Sequence, residues 1–428
     1  MSTSTTRSAT GAPVPAIPHL TQEPWRNWGG NQFATPAFTV RPQTEQDVVD
    51  AVRFAIAERL SVRAAGSGHS SSPVVQTGGL LIDRSGVAGV TGHDSDRRRA
   101  RALAGTTIHA LGDPLWERGL ALSNEGDIDK QQVAGALATG THGSGIGLGS
   151  YSSCLTWVKL VDGRGDVVEI GEDQIRELRA ARVALGTLGV FLEVELQVED
   201  AYYLQEEITY PTWSETLATW DADVQDNRHY SFLWCPEDGS SEMFDLPGLP
   251  GGGMADRSYT KRYRTVDVVD ESVLSVAEGE RLDRAYRIYP GGFTTPFAEF
   301  EYFVDAKDGK AASEDIRELI LTEHPDQKWP VEVRWVRGDD GYISQFSGRD
   351  TTVITLTADA GSDYWPFFRD ADALLQQYSP RCHWGKINFM TRDRMERLFP
   401  ELDTFIQVRR EFDPNGVFLN DYTRALVG

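Results

Sequence analysis

The sequence predicts an α+β protein of two domains, the second built on a large antiparallel sheet with flanking helices. Three observations carry that expectation. The chain has 428 residues, enough at roughly 150 residues per domain for two or three separate cores. Strand and helix patterns alternate before Asp200 around two glycine-rich segments, Gly66–Gly68 and Gly135–Gly149. Beyond Asp200 the pattern changes to long alternating runs with aromatic residues, FAEFEYFVD at Phe297–Asp305 and PVEVRWV at Pro330–Val336, as half-buried antiparallel strands require.

Residues 1–21 are biased to Ser, Thr, Ala and Pro and predict a flexible tail. The first domain, 22–199, becomes patterned at Phe38, where FTV opens a short strand. Thr44 stands ahead of Glu45 and Asp47 as a helix N-cap, and Val48, Val49, Val52, Ala55 and Ile56 recur at helical spacing. Ser61–Ala65 is a strand running into the turn GSGHSSS, and GGLLIDRS follows as an apolar segment. Val87–Leu103 alternates as strands about the charged tip HDSDRRR, and Thr107–Arg118 predicts an amphipathic helix. A second glycine-rich turn spans Val133–Gly149, a hairpin turns at Asp162–Gly163, Arg179–Ala184 is helical, and GVFLEVELQVE closes the domain as a buried strand. In the second domain, 200–380, Tyr202–Asp308 reads as strands with a Pro/Gly loop at Pro247–Met254, and Ala312–Leu321 as a helix. The last segment, 381–428, holds HWGK, a helix over Met395–Phe412 and the stop DPNG.

Acidic residues number 64 against 42 basic, a formal charge of −22. So acidic a chain lacks the lysine and arginine surface that holds phosphates, which argues against nucleic acid and anionic membrane as partners. Three scattered cysteines, Cys154, Cys235 and Cys382, exclude a disulfide framework and paired metal ligands. The eight histidines show no HExxH spacing, and no metal site is expected. The start has no secretory h-region, and no stretch approaches the roughly 20 apolar residues of a membrane helix. A cytoplasmic protein is expected, as a monomer or small homo-oligomer.

The most informative motif is RAAGSGHSSS, Arg63–Ser72. Its glycines let backbone N–H groups face a ligand oxygen, so the turn suits a phosphate or diphosphate. It is no P-loop, since Gly-Lys-Ser/Thr is absent, and no Rossmann fingerprint, since positions 66, 68 and 71 hold Gly, Gly and Ser. By itself such a turn is more often an ordinary loop. The second glycine segment, with Thr139, Thr141 and His142, completes a pair that could close on one extended diphosphate ligand. Glu332 and Arg334, two apart on a strand, share a face. Pattern alone reads them first as a structural ion pair.

In combination, VRAAGSGHS, GDIDKQQVAGALATGTHGSG, PVEVRW, HWGK and DPNGVFLNDY resemble one family, from about Trp25 to Tyr422. They are similar to the aldonolactone and alditol oxidases of the vanillyl-alcohol-oxidase flavoprotein superfamily. The resemblance implies a two-domain fold in which a PCMH-type FAD-binding domain, joined by the returning segment 381–428, faces a substrate cap. It implies FAD as cofactor, bonded through His69. Arg63 would be among the cofactor-binding residues, Gly66, Ser67, Gly68 and Ser70 would hold the diphosphate, and Gly135, Thr139, Gly140, Thr141, His142 and Gly143 would form the second flavin loop. Gly189 and Val190 would lie near the adenine. The same resemblance gives Glu332, Arg334 and Lys386 catalytic roles: glutamate orienting hydroxyls, arginine supporting negative charge on the ring, lysine contacting the reacting hydroxyl.

The expected activity is oxidation of a CH–OH group in an aldonolactone, alditol or related polyol, with oxygen reduced to hydrogen peroxide. Departures from the family pattern fall on the substrate side. Thr355 stands where sugar-oxidising relatives often carry histidine, with Thr357 beside it. Asn388 replaces a second histidine and Asp127 a serine. All four are expected at the substrate. The resemblance also implies that Gly126 leaves space beside the flavin, which in this family goes with oxygen access. The alternatives are a tailoring oxidase or dehydrogenase for a non-sugar metabolite, and a noncatalytic binder on the same scaffold.

Overall fold

A computed structural model describes residues 20–277, 279–291 and 296–428. The tail expected at 1–21 lies outside the described residues except for Leu20 and Thr21, and Thr21 pairs with Thr39 as a β-bridge. The first part opens with a parallel three-stranded sheet in the order Phe38–Val40, Leu80–Asp83, Val62–Ala65. The helix Glu45–Ala57 crosses between the outer two strands. It begins at a capping box in which the Thr44 side chain accepts from Asp47 N and the Asp47 side chain from the Thr44 amide. Its apolar face, including Val48, Val49 and Val52, packs on the strands in a core shared with Phe418. An antiparallel five-stranded sheet follows, in the order Val167–Ile170, Leu155–Val161, Val190–Gln197, Arg99–Leu103, Val90–Asp94.

The second part is an antiparallel sheet of eight strands. Their order is Leu282–Arg284, Tyr203–Thr209, Arg257–Val266, His229–Cys235, Val331–Val336, Thr351–Asp359, Phe297–Asp305, Arg381–Cys382. Register sets Leu233 opposite Glu332, Glu332 opposite Thr355, and Thr355 opposite Glu301, with Thr357 opposite Glu299 in the neighbouring row. Alternation therefore turns one set of charged and hydroxyl side chains onto a single face. The helices Trp213–Asp226, Gly309–Glu323 and Trp365–Leu375 contribute buried faces to the main core. The chain then returns to the first part. The Val62 amide donates to the Val417 carbonyl at 2.8 Å, and Asn420 Nδ2 donates to the carbonyls of Pro73 and Gln76.

Several elements differ from expectation for identifiable reasons. The helix read over Thr107–Arg118 is a 3₁₀ turn, His109–Leu111, and a short helix, Gly112–Trp116. Pro114 fits only its first turn, and the Tyr286 ring occupies the space a side chain at Gly112 would need. Met395–Phe412 is two helices, Arg392–Leu398 and Leu402–Phe412, parted beside Pro400. The helix read at Arg179–Ala184 spans Ile175–Arg182. The second glycine segment begins as the helix Val133–Thr139, which Gly140 ends in the left-handed conformation at φ +73°. The run after Tyr202, read as strands, contains the helix Trp213–Asp226, which opens at a capping box between Thr212 and Glu215.

Candidate active site

The glycine turn after Val62–Ala65 is fixed from both ends of the chain. Gly68 takes φ +75°, and its carbonyl accepts from Trp28 N at 2.8 Å. Ser71 N donates to Gly385 O at 2.6 Å, and Ser72 Oγ to Trp384 O at 2.6 Å. HWGK is thereby held against the turn, although more than 300 residues of sequence separate Ser72 from Trp384.

Two cavities meet there. The first, about 920 Å³, runs between the glycine turn, the helix Val133–Thr139 and the segment Leu185–Gly189. Among the described residues no carboxylate lines it, while Arg63, Arg84 and Lys386 do. Several polar atoms around it are buried without a protein partner, among them His69 Nδ1, Gln132 Oε1 and Arg84 Nε. Burial, and then the charge of Lys386, lowers His69 to about 4, so its ring is neutral at physiological pH. The second cavity, about 710 Å³, has the face of the eight-stranded sheet as its floor. Gln131, Thr141, His383 and Lys386 line both.

The second cavity is densely charged. Arg334 reaches Asp127 at 2.9 Å, Glu301 at 3.4 Å and Glu332 at 3.5 Å. Lys261 approaches Asp127 at 3.2 Å and Glu332 at 3.8 Å. Lys386 pairs with Glu299. His142 has Gly143 O at 2.8 Å on Nδ1 and Glu301 Oε1 at 2.6 Å on Nε2. Both ring nitrogens therefore lie within hydrogen-bond distance of an oxygen. Burial alone would raise the carboxyls of Asp127 and Glu301. Lys261 and Arg334 hold Asp127 below its ordinary value, and Arg334 with His142 holds Glu301 well below. Glu332 differs. Burial raises it to about 7, because the attraction of Arg334 and Lys261 is opposed by Asp127 and Glu301.

The sequence-derived residues fall into groups. Arg63, Gly66, Ser67, Gly68, His69, Ser70, Gly135, Thr139, Thr141 and Gly189 line the first cavity. Asp127, His142, Glu332, Arg334, Thr355 and Thr357 line the second, and Lys386 lines both. His142 thus lines the second cavity and not the first, along which the second flavin loop was expected to bring it. Arg63 has its guanidinium tied to the carbonyls of Leu185, Gly186 and Phe418. Gly140, Gly143 and Val190 line neither cavity. Gly140 and Gly143 admit close neighbours, Gln345 and Glu125, and Val190 belongs to the core of the parallel sheet. Asn388 also reaches neither cavity: its amide donates to Lys386 O and to the Tyr422 hydroxyl. Sequence reasoning assigned no role to Glu301, Lys261, His383 or Arg84. The i, i+2 carboxylates of FAEFEYFVD signalled Glu301, but Lys261 enters only through strand register. His142, Glu301 and His383 bring donor atoms within 4.8 Å of one another. Within this cluster His142 bonds Glu301 at 2.6 Å, and Arg334 stands 3.4 Å from the same carboxylate.

A family model described as an FAD binding domain matches residues 36–171, and one described as D-arabinono-1,4-lactone oxidase matches 258–426. The L-gulono-1,4-lactone dehydrogenase of Mycobacterium tuberculosis is 31% identical over 425 residues, covering 94% of this chain and 99% of the relative. The chain belongs to the aldonolactone and alditol oxidase family. Its relatives include the L-gulonolactone oxidase of Mus musculus, 26% identical over 93% of this chain and 97% of that protein. The alditol oxidase of a Streptomyces species is 27% identical over 94% and 98%. A solved cholesterol oxidase from B. sterolicum shares the fold, with a TM-score of 0.82 at 15% identity over 97% of this chain and all of that one. The protein is an FAD-dependent oxidoreductase acting on CH–OH groups, with the vanillyl-alcohol-oxidase-type fold. The first cavity suits FAD: it is free of carboxylates, rimmed by the glycine turn, and edged by polar atoms that lack protein partners.

Proposed function

We propose that this protein oxidises a CH–OH carbon of an aldonolactone, alditol or related polyol, that oxygen takes up the electrons, and that His69 bonds the flavin. One observation carries the reading. Where the two cavities meet, Lys386 faces both, with His69 on the cofactor side and Glu332 and Arg334 on the sheet floor. Bound FAD would supply the hydride acceptor for that carbon and a carrier for the electron pair.

The remaining work falls to side chains. Lys386, steadied by Glu299 and by the amide of Asn388 on its own carbonyl, donates to the reacting hydroxyl. Glu332, poised near neutrality, receives the hydroxyl proton. Arg334 is kept cationic by Glu332, Glu301 and Asp127 against its burial and sets positive charge toward the ring site. Asp127, Thr355 and Thr357 offer partners to further substrate hydroxyls. The buried, unpartnered Nδ1 of neutral His69 is the nucleophilic atom for a flavin bond. Oxygen as acceptor rests on Gly126, which lines the substrate cavity without a side chain. A dehydrogenase reading is favoured by the name of the mycobacterial relative and differs only in the acceptor.

Peroxide release across polyols, lactones and simple alcohols tests the activity, with a dye acceptor run in parallel. Peroxide from a polyol or lactone supports the reading, whereas dye reduction without peroxide selects the dehydrogenase. Silence with every polyhydroxylated compound in both assays rejects the substrate class. Fluorescence retained by the acid-denatured chain tests the His69 bond separately.

A further inference from the structure

We propose that Arg84 supplies the positive charge that holds the diphosphate of FAD, beside the backbone amides of the glycine turn. This rests on the flavin site described above and concerns a residue to which the sequence reading gave no role. Arg84 follows the strand Leu80–Asp83, is 7% exposed and lines the first cavity. Its Nε has no partner, and among the described residues no oxygen accepts from its guanidinium. Its neighbour Asp83 is already engaged, by Arg41 at 2.8 Å and by Ser85 N at 2.9 Å. Arg63, the other buried arginine of the cavity, differs in having its terminal nitrogens on three backbone carbonyls.

Position points to the diphosphate. A Cβ on Gly135 would stand 4.0 Å from Arg84 Nη2, and one on Gly66 would stand 3.2 Å from Gln132 Oε1. The guanidinium therefore lies against the start of the helix Val133–Thr139, and Gln132 links that start to the glycine turn. Arg84 is absent from the residues shared with the substrate cavity, where the reacting ring must lie, so it faces the dinucleotide half. Burial pulls Arg84 down to about 10, with Asp83 opposing, and it remains charged at neutral pH. A buried cation whose nearest acid is already engaged elsewhere is costly, and the planar fork matches phosphate oxygens.

Binding titrations on His69→Ala protein, whose flavin exchanges freely, test the assignment. Adding Arg84→Met is expected to weaken FAD by about 10- to 100-fold and remove competition by ADP. Riboflavin, which lacks the diphosphate, should bind as in the parent, and Arg84→Lys should regain part of the FAD affinity. Unchanged FAD and ADP binding in Arg84→Met overturns the proposal, as does an equal loss for riboflavin. Should Arg84→Met not fold, Arg84→Gln decides: an undiminished preference for ADP over adenosine overturns the assignment. A parent that binds no FAD overturns the whole flavin site, a result distinct from selective loss of the diphosphate.

Discussion

Glu332 shows how much of this chemistry is decided by the surroundings of one carboxyl. Burial raises it to about 7 despite Arg334 and Lys261 nearby, so the group gains its proton-accepting form as pH climbs through neutrality. Turnover is expected to rise with pH along a limb centred near 7, and Glu332→Gln to flatten that limb with flavin still bound; steady-state rates across pH check both. The stability effect has the opposite sense. A carboxyl raised by folding contributes stability below its unfolded value, and that contribution is lost as pH rises through about 7. Lys386→Ala should keep flavin and reduce turnover by about tenfold or more, measured as kcat at saturating substrate. Arg334→Ala should reduce turnover as much and also lower the melting temperature, since it strips Asp127 and Glu301 of a buried partner. Calorimetry beside kinetics separates the two effects.

At the scale of elements, the site is a consequence of alternation and register. Glu332 and Arg334 were legible as a same-face pair because a strand has period two, and both line the second cavity. Lys261 was not, and Glu301, though marked by its i, i+2 carboxylates, could not be set beside Arg334 from sequence, since both approaches depend on which strands neighbour which, a non-local choice. Helix starts were better marked than helix ends. Thr44 is the plainest case, and Thr44→Ala is predicted to cost about 1 kcal/mol, seen as a melting temperature lower by a few degrees. The two broken helices erred where apolar periodicity outvoted Pro114 and Pro400.

On the scale of the whole molecule, the C-terminal segment binds the two parts into one site. Asn420 donates to carbonyls just beyond the glycine turn, and Gly385 and Trp384 accept from Ser71 and Ser72. Asn420→Ala should therefore lower the melting temperature and speed flavin loss from His69→Ala protein, followed by fluorescence of the released flavin. The charge of −22 is unevenly set: the first cavity holds cations without described carboxylates, and the second balances acids against bases. The glycine turn and HWGK were readable as motifs, but their contact was not, because only the folded chain closes that span. The flavin's visible absorbance under anaerobic mixing with polyols and lactones is the most direct measurement. Bleaching by at least one of them, recovery with peroxide on admitting oxygen, and loss of bleaching in Lys386→Ala are the predicted results. Flavin that dithionite bleaches but no polyhydroxylated compound does would contradict the proposed chemistry.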